Sequence, residues 1–184
     1  MKSGLNGSQG NYLSGLGAKA GVQTEIPPEA ALGQGFWDVP AGTTGERVLI
    51  VDTKHQKVQY FIGSTLVGES PMSSGKEGHS TPAGNYKIYM KDANYKSGTY
   101  GVLKRRGTNE KVPGDFNARA QSVPAGCYFD PAPMPYALFF APGYAMHVGF
   151  VAGYPVSHGC VRLPADMAKK FFENTPVGTT CIVK

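Results

Sequence analysis

Charged side chains are scarce: 18 Lys and Arg with 13 Asp and Glu make up 17% of the 184 residues. They net +5, a mild bias toward anionic partners such as cell-wall polymers, nucleic acid or membrane surfaces. The basic residues are scattered, though, and Lys104-Arg105-Arg106 is their one tight cluster, with no RNA-type aromatic and basic motif around it. That pattern reads as a solvated loop, so no nucleic-acid partner is expected. Long apolar runs are missing as well. None approaches the roughly 18 residues of a spanning helix, so no membrane span is expected either. Residues 1–21 are rich in Gly, Ser and Asn and show no basic-plus-apolar leader. Only three cysteines occur, Cys127, Cys160 and Cys181, and no two form a CxxC pair. At most one disulfide can form, and the usual zinc fingers are excluded.

What is present is enough for one packed domain. Hydrophobic residues make up 41%, with ten Tyr, nine Phe and one Trp, which argues against a disordered chain. The 25 Gly and 14 Pro point to many turns and little helix. Ten of those glycines fall in residues 1–45, which read as a flexible N-terminal segment with Phe36 and Trp37 as candidate late anchors. Arg47–Asp52 (RVLIVD), Lys57–Ile62 (KVQYFI) and residues 65–70 then read as a β-meander. Residues 85–91 (NYKIYMK) alternate as a half-buried strand, while 93–126 carry no clear pattern. Residues 136–141 and Tyr144–Val148 flank Pro142-Gly143 as a hairpin. Pro164 opens the one clear helix, with Met167, Phe171 and Phe172 on its inner face, and residues 179–183 close as a strand. The fold class is mainly β, a sandwich or barrel of mixed sheets with one late α-helix, because β-α alternation is missing.

Chemistry concentrates in YAMHVGFVAGYPVSHGCVRLP, residues 144–164. A thiol attacks only as a thiolate, and an ordinary one is a few per cent ionised at neutral pH, so a base must take its proton. His147 ends a predicted strand and Cys160 follows beyond a Gly/Pro turn; strand ends joined in this way can bring the two together. Gly159 lets the backbone approach a substrate, so that consecutive amides can face a developing oxyanion.

Ser157-His158-Gly159-Cys160-Val161-Arg162, with His147 upstream, resembles the signature of the YkuD-type L,D-transpeptidases of the bacterial cell wall. Ser74-Gly75-Lys76 followed by Thr81-Pro82-Ala83-Gly84 is similar to that family's SGK…TPxG segment, and Met134-Pro135-Tyr136 to its short substrate-side motif. The interval from His147 to Ser157 is shorter than in many members. The resemblance implies that residues 46–184 form an L,D-transpeptidase catalytic domain, located in the cell envelope. It makes Cys160 the nucleophile and His147 its base, oriented by the main-chain carbonyl of Val148. His158 and Gly159 would shape the oxyanion site with the Cys160 amide. Arg162, Ser157, Tyr136 and His79 would contact substrate, with Arg162 holding a carboxylate. The implied partners are peptidoglycan stem peptides and carbapenem-type inhibitors, with no metal and no cofactor. The product would be a 3→3 cross-link when an amine accepts the acyl group, or a shortened stem when water does.

Two readings of other classes compete. A zinc hydrolase would use His147, His158 and Cys160 as ligands, although the His158-Gly159-Cys160 spacing makes joint tetrahedral ligation awkward. A non-catalytic wall-binding module would need only basic charge and aromatics. For the other thiols the residues themselves suggest simpler roles: Cys181 in TTCIV as core, Cys127 as a loop thiol.

Overall fold

The computed structural model describes residues 35–184. Short strand β1 (Phe36–Trp37) precedes a meander of β2 (Arg47–Asp52), β3 (Lys57–Ile62) and β4 (Thr65–Pro71). Next come β5 (Gly84–Lys87), β6 (Met90–Asp92), the long β7 (Lys96–Arg105), β8 (Phe116–Asn117) and β9 (Cys127–Pro133). A hairpin of β10 (Ala137–Ala141) and β11 (Tyr144–Val148) leads to β12 (Val161–Leu163), α1 (Ala165–Asn174) and β13 (Thr180–Val183). They build three sheets, ordered β1-β4-β3-β2-β13-β5, β12-β11-β10-β6 and β8-β7-β9. Antiparallel pairs dominate, but β13 runs parallel to β2 and β12 parallel to β11. The sheets are mixed and stay open, so of the two expected architectures the barrel is not formed.

The period-2 pattern explains the packing. In β3 every second residue, Val58, Tyr60 and Ile62, is buried. These side chains meet Leu49, Val51 and Val67 of the large sheet, Leu138, Phe140, Met146, Val161 and Leu163 of the second, and Met167 and Phe171 of α1. The helix follows its amphipathic spacing: Met167, Ala168 and Phe171 are buried, and Asp166 sits in the first turn, where the helix dipole favours it. All five residues of β10 are buried, since both its faces are covered. Leu138 and Phe140 join the main core, while Ala137 and Phe139 join Met134, Ala145, Tyr95 and Cys160 in a second cluster.

One sequence expectation changes. Residues 85–91 do not form one strand: β5 pairs with β13 and β6 with β10, in different sheets. The chain crosses between the sheets at the fully buried Ile88. The end of the segment 1–45 is held by its two candidate anchors, Phe36 and Trp37. β1 pairs with β4, and Trp37 packs edge-on to Tyr60 at 5.1 Å and against Phe171 at 5.8 Å. Its indole lies so close over Gly68 that an added Cβ there would sit 2.5 Å from Cε3. The part of that segment before residue 35 lies outside the described residues. Trp37→Ala should therefore cost about 3 kcal/mol, the usual size for loss of a large core aromatic. A urea midpoint lowered at unchanged slope is the expected result, and an unmoved midpoint would make β1 dispensable.

Candidate active site

Strand register builds the site. His147 lies opposite Arg162 in the parallel pair of β11 and β12, with Met146 opposite Val161. Met146, Val161 and Leu163 face the main core. By alternation, Ala145 and His147 on one strand and Cys160 and Arg162 beside the other face away from it. Two parallel strand ends thus deliver thiol, imidazole and guanidinium to one face, and Cys160 packs on the second cluster there.

His147 is 7% exposed. Its Nδ1 donates to the Val148 carbonyl at 2.7 Å, which leaves Nε2 as the ring's acceptor. Burial drives its pKa down to about 4; the nearby Arg162 charge acts the same way and the Val148 hydrogen bond opposes it. Burial likewise pushes the Cys160 thiol up, against the Ala145 amide and the Arg162 charge, which favour the thiolate. The sulfur lies 3.8 Å from the Gly143 carbonyl oxygen and makes its hydrogen bond there, not to His147. At neutral pH the resting pair is therefore a thiol and a neutral imidazole. Such a pair works by general-base removal of the proton as sulfur attacks, without a standing ion pair.

The depressed His147 has a consequence for stability. The unfolded imidazole titrates near 6.5 and takes up a proton that the folded one refuses until about pH 4. Stability present above pH 6.5 is lost as the pH falls toward 4, by up to about 3 kcal/mol from this residue. His147→Gln should flatten that acid limb. Urea midpoints at pH 7 and pH 4.5 measure it, and an equal acid loss in both proteins would contradict it.

The loop before Cys160 is held from below. Ser157 is 1% exposed; its hydroxyl donates to the Cys160 carbonyl and accepts from the Gly159 amide at 3.0 Å. The Ser157 hydroxyl thus spends both bonds inside the loop, and the Gly159 amide is engaged by it. Among the described residues no acceptor within the protein engages the amides of His158 and Cys160, which remain the candidate oxyanion donors. Gly159 itself has φ 120°, a conformation open to glycine, and a Cβ there would sit 2.7 Å from Tyr144.

The SGK…TPxG residues form the clamp. Gly75 bridges to Ser157, and an added Cβ on it would lie 2.9 Å from the Gly159 Cα. Thr81 Oγ1 accepts from the Gly75 amide at 3.0 Å and donates to the Gly159 carbonyl at 2.8 Å. Ser73 exchanges backbone hydrogen bonds with Arg162, and its Oγ accepts from Ala152. Gln56, with φ 51°, closes a pair of hydrogen bonds with Ser74. No signal in the sequence marked Gln56 or Ser73 for this task.

The Tyr136 ring packs on Phe172 at 5.5 Å and against the main core, while its neighbour Met134 belongs to the cluster touching Cys160. A positive φ of 55° at Tyr136 turns the chain between the two. His79 meets His158 edge-on at 5.1 Å, and Tyr100 of β7 stacks on His158 at 4.6 Å. Tyr100 lay in the unassigned 93–126 stretch. His147, His158 and Cys160 do not converge as a metal-ligand set; among the described residues no group of three or more His, Cys, Asp or Glu does. All three thiols are free, and burial pushes Cys181 up to about 12.

A mainly β domain thus carries a thiol and a buried, carbonyl-anchored imidazole on one face, the equipment that cysteine acyl transfer requires. Residues 46–183 match the family model of the YkuD L,D-transpeptidase catalytic domain, and the chain belongs to that family. It is 30% identical over 167 residues to the probable L,D-transpeptidase YbiS of Escherichia coli K12, covering 88% of this chain and 49% of that protein. The chain spans about half the length of the curated relatives it matches. An L,D-transpeptidase from Mycobacterium smegmatis shares the fold, with TM-score 0.56 and 19% identity over 76% of this chain and 59% of its own. Another solved structure, LdtMt1 in complex with imipenem, superposes at TM-score 0.55 with 18% identity, over 75% of this chain and 58% of that one.

Proposed function

We propose that this protein is a cysteine L,D-transpeptidase acting in the cell envelope on peptidoglycan stem peptides. The observation that carries the reading is the pairing of β11 with β12, which sets Cys160 and Arg162 on the same face as His147. Cys160 sulfur attacks the carbonyl of the stem's third residue, a diamino acid, at its L-centre, while His147 Nε2 takes the thiol proton. The tetrahedral oxyanion is met by the free amides of His158 and Cys160. As the C–N bond breaks, His147 returns the proton to the departing nitrogen, D-alanine leaves, and a Cys160 thioester remains. Arg162 makes no ion pair among the described residues and so is available for a substrate carboxylate. An incoming amine gives the 3→3 link, and water gives the carboxypeptidase product. Residues 46–184 form the catalytic domain in this reading.

A carbapenem tests the reading, since its strained lactam carbonyl is the same kind of electrophile. One solved relative in fold is described as a complex with imipenem. Intact-mass spectrometry should show a single adduct, mapped to the Cys160 peptide. An unmodified mass in protein that still turns over muropeptides would overturn the carbapenem assignment, and inactivity toward both would overturn the function.

A further inference from the structure

The SGK…TPxG residues reach the peptide bond that carries the Cys160 amide. Thr81 is 8% exposed, and its hydroxyl stands between two backbone groups from separate segments. The Gly75 amide donates to Thr81 Oγ1 at 3.0 Å, and Thr81 Oγ1 donates to the Gly159 carbonyl at 2.8 Å. An amide N–H cannot accept, so the hydroxyl hydrogen points away from Gly75 and toward Gly159. That carbonyl shares its peptide with the Cys160 N–H. In a planar trans peptide the C=O and N–H point in opposite directions, and the described residues contain no cis bond. Holding the Gly159 oxygen on Thr81 therefore aims the Cys160 N–H away from the clamp. Ser157 takes the two flanking groups, the Gly159 amide and the Cys160 carbonyl. The Gly159 Cα is closely packed as well, since a Cβ added to Gly75 would lie 2.9 Å from it.

We propose that Thr81 is a positioning residue for acyl transfer, its hydroxyl aiming and polarising the Cys160 amide toward the oxyanion. The inference rests on the transpeptidase reading and assigns the SGK…TPxG segment a role within it. As negative charge grows on the oxyanion, the Cys160 N–H donates more strongly and electron density moves onto the Gly159 oxygen. The Thr81 hydroxyl meets that density, so its hydrogen bond strengthens in the transition state. Thr81 acts through the peptide and not on the sulfur. Its hydroxyl therefore contributes nothing to a reaction at sulfur that develops no oxyanion.

Two reactions of the same thiol separate aim from support. Carbapenem acylation passes through a tetrahedral oxyanion, whereas iodoacetamide alkylation displaces iodide at a saturated carbon and forms none. Thr81→Val keeps the shape of the side chain and deletes the hydroxyl. Its limiting acylation rate should fall by about tenfold to a hundredfold, less than the loss of an oxyanion donor outright. The half-saturating carbapenem concentration and the alkylation rate should stay close to the parent's. Thr81→Ser, which keeps the hydroxyl, should recover most of the loss. If Thr81→Val lacks a native-like circular dichroism spectrum, Thr81→Ala replaces it with the same expectations. Equal acylation in the parent and the hydroxyl-free variant overturns the proposal. So does a parallel fall of acylation and alkylation, which marks a hydroxyl that only supports the loop. A readout independent of turnover keeps the two readings apart. The Cys160 amide proton of the parent should resonate downfield of its position in Thr81→Val, with Thr81→Ser close to the parent. A parent that shows this shift but takes no adduct would sink the transpeptidase reading alone. A parent that is acylated without the shift would sink the Thr81 assignment alone.

Discussion

Cys160→Ala should abolish thioester formation, with no adduct from stem peptide or carbapenem at any incubation time, while the fold stays intact. The change deletes one sulfur at a half-buried position on the small Met134, Ala137, Phe139 and Ala145 cluster. Its packing cost is below that of a buried methylene pair, on the order of 1 kcal/mol. The chemical cost is complete, because the other two thiols lie on different strands of other sheets. Cys181 is fully buried on β13 between β2 and β5, and its thiol is held up at about 12. Cys127 is at the start of β9, in the small sheet. Cys127→Ala should keep turnover within several-fold of the parent, and Cys181→Ala should cost stability before activity. Adduct mass, turnover and circular dichroism on the three single variants decide it. Equal loss at all three sites with native-like spectra would remove Cys160 as sole nucleophile.

What could be read in advance follows from what local sequence encodes. The meander, the Pro142-Gly143 hairpin and the Pro164 helix each carry their signal within a few residues: β-branched runs, a turn pair with φ 82° at Gly143, and a 3.6-residue apolar stripe. Residues 85–91 alternate regardless of which sheet receives them, so the sequence could not reveal the crossing at Ile88. β1 is too short to show a period, and its worth lies in Trp37 meeting Tyr60 and Phe171 far along the chain. In the site, the thiol and imidazole were legible because their chemistry is rare and their spacing recognisable. The bracing bonds of Ser157 were not legible, because a hydroxyl beside a nucleophile looks the same whether it faces outward or holds the loop beneath it. The packing of Tyr136 on Phe172 was not legible either, because it depends on a positive φ that no local pattern marks. The stacking partner of His158 was invisible because Tyr100 comes from a stretch whose polarity and glycines hide β7 and β8.

His147→Ala should slow acylation of Cys160 by about 10²–10⁴-fold, the range general-base assistance supplies. The loss should not be reproduced by His158→Ala to the same degree, since that ring packs against Tyr100 and His79. The pH dependence separates two mechanisms that the rate alone does not. A standing thiolate–imidazolium pair would react with iodoacetamide at lower pH than an ordinary thiol does. The buried site points the other way: burial raises Cys160 and lowers His147 to about 4, so both rest uncharged. Alkylation of the parent should then begin at higher pH than for a free thiol near 8.5. Removing the imidazole admits water beside the sulfur, so in His147→Ala the onset should move down toward that ordinary value even as enzymatic acylation collapses. Rates of alkylation and of acylation against pH, on the parent and both histidine variants, test this directly. An onset below 8.5 in the parent that rises in His147→Ala would establish a standing ion pair in place of base-assisted attack. A larger acylation loss in His158→Ala than in His147→Ala would transfer the base role to His158.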